Sequence, residues 1–305
     1  MIEFVYDNDA LEHLIKADDY KELKPRILES VERGINRFYI CQYTFWEMVK
    51  GASRRNLTRL QNILREAYWL SGEGQVLLYP TPHLKHSLGA ISVRDYKKNC
   101  QEFIRCIQEF LCCREFADFE HKFGSAQSFI SDELKALSDL AVKGREVVFK
   151  NLSNTGTDGA KEFLSSTNSE SFFRIFLPQI IERFKLESEL SGLSADTVQR
   201  KVPSLRQFSD VFRTLQLKRL TGNKKIDLND YFDVQKVVYL DKCDYLITDD
   251  RRLRVLFKEA NCSDLWGRAI PMQKAKEHIK KRCLINRLTN PVYDHSCSVR
   301  VVTSE

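Results

Sequence analysis

Hydrophobic positions fall into two periods along this chain. Short continuous apolar runs predict buried strands at Glu3 to Tyr6, Phe38 to Gln42, Gln75 to Tyr79 and Tyr245 to Thr248. Between them the spacing is helical. Leu11, Leu14 and Ile15 share one face of a helix from Asp7 to Ala17. Leu23, Ile27, Leu28 and Val31 share one face of a second, capped by Asp18-Asp19, running to about Arg33 and ended by Gly34. A helix starting near Thr44 and a longer one from Leu57 to Leu70 follow the second run. Two helices between consecutive strands require a parallel crossover in place of a hairpin. The expected fold is therefore α/β, a parallel sheet with helices on both faces. Pro80-Thr81-Pro82 is expected to break the chain.

From there to about Pro203 the pattern is helical, with no convincing strand. Phe103, Cys106, Ile107, Phe110 and Leu111 follow the spacing of one helix face, and Phe172, Phe173, Phe176, Ile180, Ile181 and Phe184 nearly do, so both stripes are assigned to core. Asn151 to Asp158 reads as a polar loop. The α/β pattern resumes with a helix from Leu205 to Leu220, a turn at Thr221-Gly222-Asn223, a helix across Asp230 to Leu240, and a helix from Arg251 to Ala260 after the last strand. The predicted organisation is a core in two parts, 1–80 and 205–272, interrupted by a large all-helical insertion or lid, 81–204, and followed by a basic C-terminal helix and tail, 273–305. Beyond Asn290, order is expected only at Val299 to Val302.

Composition narrows the class. At 305 residues, 43% hydrophobic and 30% charged, the chain is long enough for a sizeable core. No apolar run approaches the roughly 20 residues needed to span a bilayer, and no basic, apolar, small-residue signal order opens the sequence, so a cytoplasmic protein without a membrane partner is expected. The nine cysteines show neither zinc spacing nor paired spacing and are expected to be free thiols. Net charge is only +6, but it is unevenly placed. Lys50, Arg54, Arg55, Arg59 and Arg65 occur without an acid between Met48 and Arg65, and Arg251, Arg252, Arg254 and Lys258 form another cationic segment. Such stretches suit a polyanion, with Arg54, Arg55, Arg251 and Arg252 as candidate substrate-binding residues; the bland alternative is a solvated helix face.

The acids carry the chemistry. Asp7 follows the first strand, Glu47 lies on the helix after the second, Asp233 precedes the apolar run Val237 to Leu240, and Asp249-Asp250 follow the last strand. Taken singly, Asp7, Asp249 and Asp250 are ordinary helix N-caps. Taken together they sit where the carboxyl ends of parallel strands form a ligand crevice. Carboxylates grouped in this way make an all-oxygen site for a hard divalent cation, which points to a metal-dependent nuclease.

These segments resemble the PIN-domain nucleases, relatives of the flap-endonuclease fold. Asp7-Asn8-Asp9-Ala10-Leu11 is similar to the family's first acidic motif, Thr44-Phe45-Trp46-Glu47 to its second, Asp233-Val234-Gln235-Lys236 to its third, and Thr248-Asp249-Asp250 to its fourth. The resemblance covers about residues 1–80 and 205–272, giving a PIN-like core with the helical insertion outside it. It implies Asp7, Glu47, Asp233 and Asp250 as catalytic metal ligands for Mg²⁺ or Mn²⁺, with Thr248 orienting the last motif's backbone or a phosphate. Asp249 is a further candidate ligand, and Asp9, Asp230 and Asp241 supply extra acids whose participation stays open. The implied activity is phosphodiester hydrolysis by a metal-activated water, in an endonuclease whose expected substrate is RNA rather than DNA. An inhibitory protein partner is compatible with it. The alternative is a noncatalytic PIN-like scaffold binding nucleic acid or protein. Mutual repulsion of the acids is expected to raise at least one carboxyl pKa, and Asp7→Asn is expected to stabilise the metal-free protein by relieving it.

Overall fold

Residues 1–125, 156–221, 233–260, 265 and 267–289 are described by the computed structural model of the chain. Five parallel strands form one sheet: β1 (Ile2–Tyr6), β2 (Asn36–Cys41), β3 (Val76–Leu77), β4 (Tyr245–Ile247) and β5 (Ala269–Ile270), in the order β3-β2-β1-β4-β5. β1 is flanked by β2 and β4, with Phe4 opposite Phe38 on one side and Tyr245 on the other. Successive residues of a strand point to opposite faces, and both faces are covered here: Phe4 and Phe38 are fully buried on one, Val5 and Leu246 on the other. The rings of Phe4 and Phe38 stack at 5.0 Å, and Phe4 continues to Tyr245 at 5.6 Å, tying the three central strands together.

α1 (Asn8–Lys16) and α2 (Tyr20–Glu32) connect β1 to β2. α2 stops where Gly34 adopts φ +65°, a left-handed conformation that a Cβ would strain. α3 (Gln42–Gly51) and α4 (Leu57–Leu70) lead to β3. Asp19 stands at the N-cap of α2 but makes no side-chain cap bond; its carboxylate instead accepts from Lys276 at 2.6 Å and Lys280 at 3.3 Å. Pro80 is a correction to the expected break. It begins α5 (Pro80–Ser87), because proline lacks only an N–H that the first turn leaves unbonded in any case.

Beyond α5 every described residue up to Pro203 lies in a helix or a short connection. α6 (Val93–Leu111) buries Phe103, Ile107 and Phe110, and Phe172, Phe173, Phe176, Ile180, Ile181 and Phe184 are buried along Ser169–Arg183 and its C-cap. Phe45 on α3 meets Phe103 at 5.4 Å and Phe110 at 5.8 Å, so the helical part packs directly on an element of the sheet layer. Residues 156–158 begin the helix Gly156–Ser166 and are not loop; 151–155 lie outside the described residues. The helix Pro203–Thr221 packs against Gly156–Ser166, Ser169–Arg183 and the 3-10 helix Lys236–Asp241. It therefore joins the helical part to the segment that enters β4. Gly222, Asn223, Asp230 and Val299 to Val302 lie outside the described residues. β5, two residues long, has no counterpart among the expected strands, since Ala269-Ile270 makes no apolar run. No helix among the described residues is long and apolar enough to cross a membrane. Cys41, Cys100, Cys106, Cys112, Cys113 and Cys243 are free.

Candidate functional site at the carboxyl edge of the sheet

Strands β1, β2 and β3 succeed one another in one direction, whereas β4 and β5 lie on the other side of β1. Connections therefore diverge between β1 and β4, and at the carboxyl end of such a switch point the loops open a crevice. Asp7 and Thr248 are the residues that leave these two strands. Asp7 caps α1: its Oδ1 accepts from the Asn8 N–H at 2.9 Å. Thr248, fully buried, donates its hydroxyl to Asp7 Oδ2 at 2.9 Å and accepts the Asp250 N–H at 3.2 Å. One hydroxyl thus fixes both the carboxylate of the first motif and the backbone of the fourth.

Glu47 projects from α3 toward the same point. Thr44 in the turn before it bonds the Tyr6 carbonyl at 3.0 Å, which anchors α3 to the end of β1. The Asn8 amide donates to Glu47 Oε2 at 2.9 Å and to the Thr44 carbonyl at 3.2 Å, locking α1 to α3 across the site. Asp233 arrives from the turn that precedes the 3-10 helix.

The centre of this arrangement is a residue to which the sequence reading gave no role. Lys236 Nζ lies 2.7 Å from Asp7 Oδ1, 3.0 Å from Asp233 Oδ1 and 3.5 Å from Glu47 Oε1. The side chain of Lys236 is 1% exposed and that of Asp7 9%, while Asp233 and Glu47 retain 18% and 27% and form the outer wall. The signal in the sequence is one lysine within the buried run Val234 to Leu240, three positions after Asp233. A buried ammonium is tolerated only when paired, and this one has three carboxylates.

The charges shift accordingly. Burial alone would push Asp7 up, but the Lys236 ammonium, with Thr248 and the Asn8 N–H, brings its carboxyl below the usual range. Glu47 is pushed up to about 7, by burial first and then by the charges of Asp7 and Asp233, against the pull of Lys236. Asp233 is raised by burial and by Asp7 and Asp250. Lys236 stays protonated far above neutrality, because its carboxylates outweigh the cost of burial. The expected rise of one carboxyl is thus found at Glu47 and Asp233. At Asp7 the direction is the opposite, since Asp7 is paired with Lys236.

The remaining candidates divide. Asp250 caps the helix Arg251–Glu259, accepting from the Arg252 N–H at 2.7 Å and the Leu253 N–H at 3.4 Å, and lines a crevice of about 540 Å³ with Asp233, Arg251, Arg252, Leu215 and Leu256. Asp249 turns away: Oδ2 meets His13 Nδ1 at 2.8 Å and Oδ1 accepts the Met272 N–H at 3.0 Å. Asp9 lies exposed on α1, its carboxyl raised by partial desolvation and by the charge of Asp7. Asp241 accepts from Ser204, away from the cluster. Arg54 lies over the Phe116 ring at 5.9 Å, past the end of α3, and Arg55 is exposed beside it.

Asp7, Glu47 and Asp233 supply carboxylate oxygens, and the buried Oδ1 of Asn8 has no partner among the described residues, so the donors are of the kind magnesium or manganese takes. As they stand, no group of three or more His, Cys, Asp or Glu among the described residues is arranged to hold a metal ion. The carboxylates are arranged about an ammonium. Compared with protein-family models, with curated proteins and with solved structures, the chain matches none.

Proposed function

We propose that the crevice at the β1–β4 switch is the active site of a metal-dependent endonuclease of PIN-like type, hydrolysing phosphodiester bonds in RNA more readily than in DNA. The observation that carries this reading is convergence: side chains from the end of β1, from α3 and from the segment before the 3-10 helix meet at one point, and all three belong to motifs that resemble the same nuclease family. A magnesium or manganese ion supplies, when bound, an activated water and positive charge at the scissile phosphate. Asp7, Glu47 and Asp233 would hold it, with Asp250 on the crevice side. Thr248 orients Asp7 and the Asp249-Asp250 turn. Arg251 and Arg252, on the crevice rim beside the two acids, attract and position the polyanion. Leu215 and Leu256 add apolar surface to the same crevice.

A second reading, a noncatalytic scaffold of the same fold, is favoured by Lys236, whose ammonium offsets the repulsion that would otherwise select against unused carboxylates. Cleavage of single-stranded and structured RNA and of DNA with Mg²⁺ or Mn²⁺ separates the two. Asp7→Asn, Glu47→Gln and Asp233→Asn should each lower the rate at least about a hundredfold in folded protein. Undiminished rates in two of the three, or no cleavage of any substrate by the wild type, would sink the nuclease reading.

A further inference from the structure

We infer that Lys236 is a built-in occupant of the cation position, so that a divalent ion enters this site by exchange with the lysine ammonium. The inference rests on the nuclease reading and extends it to how the site is filled and emptied.

Nearly every oxygen of the cluster already has a partner. Asp7 Oδ1 accepts from Lys236 and from the Asn8 N–H, and Asp7 Oδ2 accepts from Thr248. Glu47 Oε1 faces Lys236, and Glu47 Oε2 accepts from the Asn8 amide. Asp233 Oδ1 accepts from Lys236. The three atoms turned toward the common point are thus all engaged by one ammonium, and the outer oxygens of Asp7 and Glu47 are held by Thr248 and Asn8. A divalent ion bound to the inner oxygens stands about where Nζ is now. Two cations do not share that volume, so the ammonium must withdraw. Lys236 carries its charge at the end of a four-carbon stem of rotatable bonds, which gives the ammonium the freedom to withdraw. Thr248 and Asn8 keep the Asp7 and Glu47 carboxylates in place while the cations exchange. A site built this way remains folded and partly neutralised without metal, and its metal affinity is set by competition with its own lysine.

The experiment titrates Mn²⁺ into full-length wild type, Lys236→Gln and Lys236→Met, following binding by calorimetry and the melting temperature in parallel. Both variants should bind Mn²⁺ at least tenfold more tightly than wild type. They should melt lower than wild type without metal and recover most of the difference with it. In wild type carrying ¹³C-labelled lysine, the Cε resonance of Lys236 should move on Mg²⁺ titration with the same midpoint as the thermal shift. That measurement decides the matter if both variants fail to fold. Equal Mn²⁺ affinity in folded wild type and variants, or a Lys236 resonance unmoved at saturating Mg²⁺, overturns the exchange and leaves the nuclease reading standing. Absence of Mn²⁺ binding in wild type and folded variants alike overturns the metal-dependent reading itself, and the exchange with it.

Discussion

Lys236 Nζ lies 2.7 Å from Asp7 Oδ1 although the two stand 229 positions apart in the chain. The pair closes the sheet's carboxyl edge, joining the end of β1 to the segment that feeds β4. Removing one partner of a buried ion pair leaves an uncompensated charge, typically costing about 3 to 5 kcal/mol. In metal-free protein Lys236→Met should reach that range, because three carboxylates lose their counter-ion. Asp7→Asn should cost less, since Lys236 retains Glu47 and Asp233. Urea unfolding of both variants checks the order; a metal-free Asp7→Asn more stable than wild type would show that repulsion outweighs pairing.

Thr248 is the second buried link. Thr248→Val keeps the shape and removes one donor to Asp7 Oδ2 and one acceptor for the Asp250 N–H. Leaving such groups unsatisfied costs about 1 to 3 kcal/mol. The double variant Thr248→Val with Asp7→Asn should cost less than the sum of the two, as expected for residues sharing one hydrogen bond. Additive losses would mean that the hydroxyl does not act through Asp7.

Stability against pH should contain two opposed contributions. Glu47 has a folded pKa of about 7, above the ordinary carboxyl value, so the stability it contributes is complete at low pH and is lost as pH rises toward 7. His83, depressed by burial to about 4, contributes stability that is present above its ordinary pKa and is lost as pH falls toward 4. Each is worth at most about 3 kcal/mol. Between pH 5 and 6.5 they offset. Glu47→Gln should therefore make metal-free stability rise with pH in that window, and His83→Phe should make it fall. Denaturant melts at three pH values test this, and identical slopes in wild type and both variants would refute it.

The sheet was legible because β1, β2 and β4 are apolar runs that need burial on both faces, and their parallel direction followed from the helices between them. β5 was not, since two residues held by pairing with Leu246 and Ile247 carry no pattern of their own. The convergence of Asp7, Glu47 and Asp233 was legible as motif order. Lys236 was not given a role, because local sequence does not say that one charge inside an apolar run will meet carboxylates from two distant segments. Asp249 and Asp250 were inseparable for a similar reason. Which of two adjacent acids turns toward the crevice depends on His13 and on the start of the Met272–Thr289 helix, both remote in sequence.

The cationic stretches, alike in the sequence, are distinguished by their positions. Arg251 and Arg252 lie on the rim of the crevice that Asp233 and Asp250 also line, and Arg252 is largely exposed despite an Asp250 oxygen at 3.4 Å. Arg54 lies past the far end of α3 with its guanidinium over Phe116. Neither pair supports the fold strongly, since exposed ion pairs are worth at most about 1 kcal/mol. The double variants Arg251→Glu with Arg252→Glu and Arg54→Glu with Arg55→Glu should therefore both fold. If the crevice takes a single-stranded backbone, the first should weaken RNA binding about tenfold or more. It should also flatten the salt dependence, by about 0.7 in log–log slope for each phosphate that is no longer neutralised. The second should leave that slope near the wild-type value. The second should also leave Mn²⁺ affinity close to wild type, because Arg54 and Arg55 lie past the far end of α3, away from the acidic cluster. Binding titrations from low to moderate salt measure the slopes. Equal losses in the two double variants would indicate diffuse attraction to a basic surface, and a flattened slope only in the Arg54 and Arg55 variant would move the substrate track to the other end of α3.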